Sequence, residues 1–129
     1  MIYLDSSAIV KLARREAETD ALRAWLSANP EPLVASGLAR TEAARALMRS
    51  EPAALPILSS VLSLLHQKPV SDPVLEAAAT LPGTSLRSLD AIHLATAEAL
   101  LPALTWIVAY DKRLADAARS RGLPTAAPA

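Results

Sequence analysis

Cysteine is absent from the 129-residue chain, which excludes a disulfide framework and a thiolate metal site. Phenylalanine is absent as well. Tyr3, Trp25, Trp106 and Tyr110 are the whole aromatic complement, so Leu, Val, Ile and Ala must fill the core. No apolar run approaches the roughly 20 residues that a membrane span needs. The N-terminus lacks a basic stretch ahead of an apolar one, so no secretory leader is expected. A cysteine-free chain suits a reducing compartment, and a cytoplasmic location is the expectation. Net charge is zero, so the basicity common in nucleic-acid-binding domains is missing. Ten of the 13 cations are nevertheless Arg, whose planar fork suits phosphate, and acidic metal ligands would offset them. There is no Gly-rich phosphate loop, no Ser/His/Asp triad and no Cys/His pair.

What is present is apolar and alternating. Hydrophobic residues make up 52%, which argues against disorder, and the length fits one domain over residues 1–129. Residues 1–4 read as a buried strand ending at Asp5, with helices over 7–14 and near 17–28. Leu33 to Ala35 form a second strand, and Ser36 caps a helix near 38–50. Pro56 opens a helix running to about His66, and Pro69-Val70 is a third strand. Asp72 caps a helix to about Leu81, Pro82-Gly83 is a turn, and Ser88 caps a helix over about 89–101. Leu104 to Ala109 are a fourth strand, Asp111 caps a helix over 112–121 that Gly122 closes, and Leu123 to Thr125 are a fifth strand. Strands alternating with helices imply a mostly parallel sheet covered on both faces, with ligands beyond the carboxyl ends of its strands.

Four acidic residues stand out against this pattern. Asp5 and Asp111 both sit at carboxyl ends of strands and should project to the same sheet edge. Asp90 lies among Leu89, Ala91, Ile92 and Leu94, and Glu42 among Leu38, Ala39 and Ala46. Each has an ordinary explanation: an N-cap, a favourable first-turn charge, or pairing of Glu42 with Arg45 or Arg49. Together they point to convergence. Converging carboxylates resist ionising together unless a cation relieves them. Hard oxygen ligands without Cys or a His pair suit magnesium or manganese. Ser6 and Ser7 could bind a phosphate or metal-bound water, although helix capping explains Ser7 equally well. His93, one turn beyond Asp90, reads as a satisfied core residue rather than a base. His66 carries no functional signal.

At these residues the chain resembles the PIN-domain family, and especially its VapC-type ribonuclease toxins. Met1-Ile-Tyr-Leu-Asp5-Ser6-Ser7-Ala8-Ile9-Val10-Lys11-Leu12 resembles the family's first strand and turn, and Ser36-Gly37-Leu38-Ala39-Arg40-Thr41-Glu42 its second motif. Ser88-Leu89-Asp90-Ala91-Ile92-His93-Leu94-Ala95-Thr96-Ala97 is similar to the third, and Val108-Ala109-Tyr110-Asp111-Lys112-Arg113-Leu114 to the fourth. The motifs keep the family order and span nearly the whole chain. The resemblance implies a PIN-like three-layer α/β/α fold with a central, mostly parallel, five-stranded sheet. It implies Asp5, Glu42, Asp90 and Asp111 as catalytic, metal-binding residues, with magnesium or manganese as cofactor. It implies an endoribonuclease in which metal-activated water attacks phosphorus, and a homodimer inhibited by a small antitoxin. Many relatives carry Thr or Ser where this chain has Ala109.

If RNA is the substrate, Lys11, Arg40, Lys112 and Arg113 are expected to guide it, since a cationic rim offsets an acidic floor. The Leu-rich stretch Ile57 to Leu65 is more apolar than one buried helix face requires, which fits either a dimer surface or an enclosed core helix. The competing functional reading is a PIN-like nuclease of RNA processing or DNA outside toxin–antitoxin systems; the short chain without added domains favours the toxin. A phosphoacceptor domain is disfavoured because Asp5 lacks acidic neighbours, and a non-catalytic binding module because all four carboxylates are present.

Overall fold

The computed structural model describes residues 1–83 and 85–129. Five short strands form one parallel sheet: β1 (Ile2–Leu4), β2 (Leu33–Ser36), β3 (His66–Lys68), β4 (Trp106–Val108) and β5 (Thr125–Ala126), in the order β3-β2-β1-β4-β5. The chain moves outward from β1 in one direction to β2 and β3, then returns to the other side of β1 for β4 and β5. That reversal puts a topological switch point between β1 and β4, where open α/β sheets leave a crevice.

The helices are α1 (Ser6–Ala13), α2 (Thr19–Ala28), α3 (Gly37–Ser50), α4 (Leu55–Ser63), α5 (Asp72–Ala79), α6 (Ser88–Glu98) and α7 (Lys112–Ser120), with a 3-10 turn at Pro52–Ala54 before α4. Side chains alternate across a strand, and the core divides accordingly. Ile2, Leu4, Ala35 and Val108 face one side and pack with Ile9, Leu22, Ala39, Leu47 and Leu58 of α1 to α4. Tyr3, Val34 and Ile107 face the other and pack with Leu94, Ala97, Leu114 and Ala118 of α6 and α7. Small alanines on α5 and α6 (Ala78, Ala91, Ala95) let α5 close against the outer side. This is the three-layer α/β/α arrangement expected from the sequence, with all strands parallel.

Several boundaries differ from the sequence reading. The helix after Pro56 ends at Ser63, not His66, and His66 instead begins β3, three residues ahead of the expected Pro69-Val70 strand. β3 is an exposed edge strand of polar residues, so it carries no hydrophobic alternation. Pro69 lacks the amide hydrogen that continued pairing needs. Ser71 rather than Asp72 caps α5, accepting from the Val74 amide, and α5 stops at Ala79. Arg87 occupies the N-cap position of α6, so Ser88 is already helical, and α6 stops at Glu98. The fourth strand shortens to Trp106–Val108, and the fifth lies at Thr125–Ala126 rather than Leu123–Thr125; Leu123 instead plugs the core beneath α7. Gly122, at φ +75°, makes the turn that closes α7. Along α4 and its C-cap, Leu58 is buried, whereas Ile57 and the capping Leu64 are exposed, so the Leu-rich segment is not an enclosed helix. Among the described residues, no helix is long and apolar enough to cross a membrane.

Candidate functional site

Asp5 ends β1 and caps α1. Its Oδ1 accepts the Ala8 amide hydrogen at 3.0 Å and the Ser7 hydroxyl at 2.6 Å. Its Oδ2 has no hydrogen-bond partner among the described residues, where no fully buried side-chain oxygen lacks one, so Oδ2 opens on a cleft. Asp111, beyond β4, caps α7 by accepting from the Leu114 amide at 3.0 Å. Asp90 lies in the first turn of α6, and Glu42 lies on α3 after β2. All four line one cleft of about 490 Å³ at the carboxyl edge of the sheet.

The electrostatics reflect that convergence. Asp5 is 2% exposed, and burial pushes its carboxyl up to about 6. Hydrogen bonds from Ser7 and Ala8 oppose the rise, as does His93, while the Asp111 charge adds to it. Asp90 is also raised, first by burial and then by Asp111; the charge of Arg113 pulls it back. Two carboxylates thus feel a third across the cleft.

His93 is buried, with its polar atoms satisfied, as expected. It also touches the cleft: Nε2 lies 2.5 Å from Glu42 Oε1 and Nδ1 lies 2.6 Å from the Tyr3 hydroxyl. Burial, and then the Asp5 charge, hold that hydroxyl well above its ordinary value, so Tyr3 stays protonated. Neither the hydrogen bond to Glu42 nor the Tyr3 contact is legible from spacing, because 51 and 90 residues separate the partners.

The expected cationic and hydroxyl residues divide. Ser6 and Ser7 line the cleft. The Ser7 hydroxyl is engaged twice, donating to Asp5 and accepting from the Tyr110 amide, so it is committed to holding Asp5. Ser6 makes no side-chain hydrogen bond among the described residues. Lys11 lines the cleft but is drawn onto Glu16 and Glu18 at 3.3 and 3.1 Å, with its ammonium 4.7 Å from the Tyr110 ring centre. Arg40, Lys112 and Arg113 do not line it: Arg40 is exposed on α3, and Lys112 and Arg113 border a neighbouring groove, Lys112 paired with Asp116 at 2.9 Å. The arginines that do line it are Arg14 and Arg49. Their signal was present in the helical period, since Arg49 is two turns beyond Glu42 and Arg14 two turns beyond Ser7. Ala109 is buried in the core layer containing Tyr3 and Leu94 and does not line the cleft.

The donor set fits a hard divalent cation. Its four carboxylates offer only oxygen, one of them is buried with one oxygen facing the cleft, and the Asp111 charge raises the proton affinity of Asp5 and Asp90. Among the described residues, no group of three or more His, Asp or Glu side chains stands close enough together to hold a metal ion.

Fold and site together define a class: an α/β protein with an acidic cleft at the switch point of a parallel sheet. The sequence profile of the PIN domain matches residues 2–120. Ribonuclease VapC46 of Mycobacterium tuberculosis (strain ATCC 25618 / H37Rv) is 47% identical over 127 residues, covering 98% of this chain and 97% of that protein. Ribonuclease VapC35 of the same strain is 44% identical over 131 residues, covering 99% and 97%. A toxin–antitoxin complex from Klebsiella pneumoniae contains a chain that superposes with a TM-score of 0.71 at 21% identity, covering 100% of this chain and 98% of that one. The chain belongs to the PIN-domain family.

Proposed function

We propose that the chain is a magnesium- or manganese-dependent endoribonuclease, the toxin of a toxin–antitoxin pair, acting in the cytoplasm as a homodimer restrained by a small antitoxin. One observation carries the reading: Asp5, Glu42, Asp90 and Asp111 line a single cleft in a chain 47% identical to a protein named as a ribonuclease. A divalent ion, when bound, would neutralise the scissile phosphate and activate the attacking water.

The protein's own groups then have separable tasks. Asp5, fixed through Oδ1 by Ser7 and Ala8, would hold the ion through Oδ2. Asp90, in the first turn of α6, and Asp111, the cap of α7, would be further ligands. Glu42, held by His93, would complete the acidic set. Arg14 and Arg49 border the same cleft, where they hold phosphates flanking the scissile one and offset the acidic floor. A protein partner is supported by an apolar groove of about 340 Å³ between α2 and α4, bordered by Leu26, Val61 and the exposed Ile57 and Leu64.

Induced synthesis in a bacterial host tests the toxin reading. The wild-type chain arrests growth with loss of cellular RNA, Asp90→Asn does not, and co-synthesis of the small protein encoded beside it restores growth. Unimpaired growth and intact RNA at a confirmed protein level would overturn the reading.

A further inference from the structure

Among the described residues, no backbone amide holds the Glu42 carboxylate. Asp5 and Asp111 are fixed as helix caps, and Asp90 sits in the first turn of α6. Glu42 extends from the second turn of α3 on a flexible side chain, and its only hydrogen bond among the described residues comes from His93, at 2.5 Å. His93 is in turn held from behind by Tyr3, whose hydroxyl lies 2.6 Å from Nδ1. The two rings meet edge to face, with centroids 6.0 Å apart and planes at 74°. Both residues are buried, in a layer otherwise built of aliphatic side chains.

Hydrogen-bond direction follows from the partners. A carboxylate accepts and does not donate, so the hydrogen facing Glu42 belongs to Nε2. In the neutral ring that leaves Nδ1 as an acceptor, and the Tyr3 hydroxyl supplies the hydrogen. With the ring neutral, the chain of bonds runs one way: Tyr3 O–H to Nδ1, then Nε2–H to Glu42 Oε1. Tyr3 belongs to β1, the strand that also delivers Asp5, so the bonds tie Glu42 on α3 to the strand carrying the opposite ligand. A buried histidine whose two nitrogens are both occupied, one at the rim of an acidic cleft, costs more to assemble than an aliphatic residue of similar size. Its placement calls for a task at the cleft.

We propose that Tyr3 and His93 form a positioning pair that fixes the Glu42 carboxylate for the metal ion, with His93 acting through Nε2–H and Tyr3 selecting that tautomer. The proposal rests on the metal-site reading given above. In this role His93 orients a ligand rather than holding the ion itself. Histidines that bind metals directly are oriented by carboxylates behind them. Here the order is reversed, with the carboxylate as ligand and the imidazole as its support.

Two substitutions of similar size separate positioning from packing. In His93→Gln the amide nitrogen reaches the place of Nε2 and can still donate to Glu42. In His93→Asn the amide reaches only the place of Nδ1, so the Tyr3 contact survives and Glu42 loses its donor. The measurement is Mn²⁺ affinity of the full chain, read by electron paramagnetic resonance titration without RNA, beside thermal melts in chelator. His93→Gln is expected to bind Mn²⁺ within about threefold of wild type, and His93→Asn roughly 10- to 100-fold more weakly, the usual loss when a ligand's support is removed. Tyr3→Phe, which keeps the ring and deletes the hydroxyl, is expected to weaken binding severalfold. Equal affinities for Gln and Asn, or losses that merely track melting temperature, would overturn the positioning pair. Asp90→Asn separates the two levels of inference. If wild type binds Mn²⁺, Asp90→Asn does not, and His93→Asn binds normally, the pair alone falls. If wild type binds no Mn²⁺, the metal-site reading falls and takes the pair with it.

Discussion

The Ser7 hydroxyl donates to Asp5 Oδ1 across 2.6 Å while accepting the Tyr110 amide hydrogen at 3.0 Å. One hydroxyl thereby ties the end of β1 to the segment leaving β4, the two strand ends that deliver Asp5 and Asp111. Ser7→Ala removes an oriented partner of a buried carboxylate, and cleavage is expected to fall roughly tenfold. The orphaned Tyr110 amide should cost about 1–3 kcal/mol, read in denaturant unfolding. The lost bond had lowered the Asp5 pKa, so the acid limb of the pH–rate profile is expected to move to higher pH. An unchanged rate and limb would mean that Ser7 only caps the helix.

Asp5 also predicts how metal-free stability depends on pH. Burial raises its folded pKa to about 6, whereas an unfolded Asp titrates near 3.9. Between those values the folded state keeps a proton that the unfolded state releases, so the Asp5 contribution to stability is fully present below about pH 4 and is lost as pH rises through about 6. Two units correspond to about 3 kcal/mol as an order of magnitude. Unfolding in chelator from pH 4 to 7.5 should show this decline in wild type, and Asp5→Asn should flatten it. A parallel decline in both proteins would assign the slope to other groups.

Asp90→Asn separates a site residue from a helix-dipole residue. The carboxyl is raised by burial and by Asp111, so neutralising it relieves repulsion. The opposing loss of a first-turn charge is at most about 1 kcal/mol. The variant is expected to melt no lower than wild type in chelator and to cleave no RNA. Metal at 100 times its Kd should stabilise wild type by about 2.7 kcal/mol and the variant much less. A destabilised variant that still cleaves and still responds to metal would remove Asp90 from the site.

The cations sort by position in the cleft. In a cleavage-dead background, replacing Arg14 and Arg49 together with Ala should weaken single-stranded RNA binding and reduce the logarithmic salt slope by about 1.4, roughly 0.7 per phosphate contact. Arg40→Ala, outside the cleft, should leave the slope unchanged. The reverse pattern would route RNA over the outer face of α3.

The parts of the fold legible in the sequence were those with a local cause. Ile2 to Leu4, buried on both faces, form an unbroken apolar run. Ser36, Asp111 and Gly122 mark helix ends by capping and turn chemistry that needs only neighbouring residues. β3 was displaced because His66 to Lys68 are polar and exposed and gain strand geometry only by pairing with Val34 to Ser36. Within the site, Asp5 and Asp111 were legible as strand ends sharing an edge, and Asp90 and Glu42 as carboxylates set among apolar helix positions. The tie from His93 to Glu42 and the double engagement of Ser7 are contacts across the fold, which no local pattern encodes. Lys11 looked free in sequence because Glu16 and Glu18 reach it only after the chain turns between α1 and α2.

The most direct measurement is cleavage of a defined single-stranded RNA by highly purified protein, with and without divalent metal. Wild type is expected to cleave in magnesium or manganese, to stop in EDTA and to recover when metal is restored in excess, while Asp5→Asn stays inactive throughout. Sustained cleavage in chelator, or undiminished cleavage by Asp5→Asn, would contradict a metal-dependent acidic site.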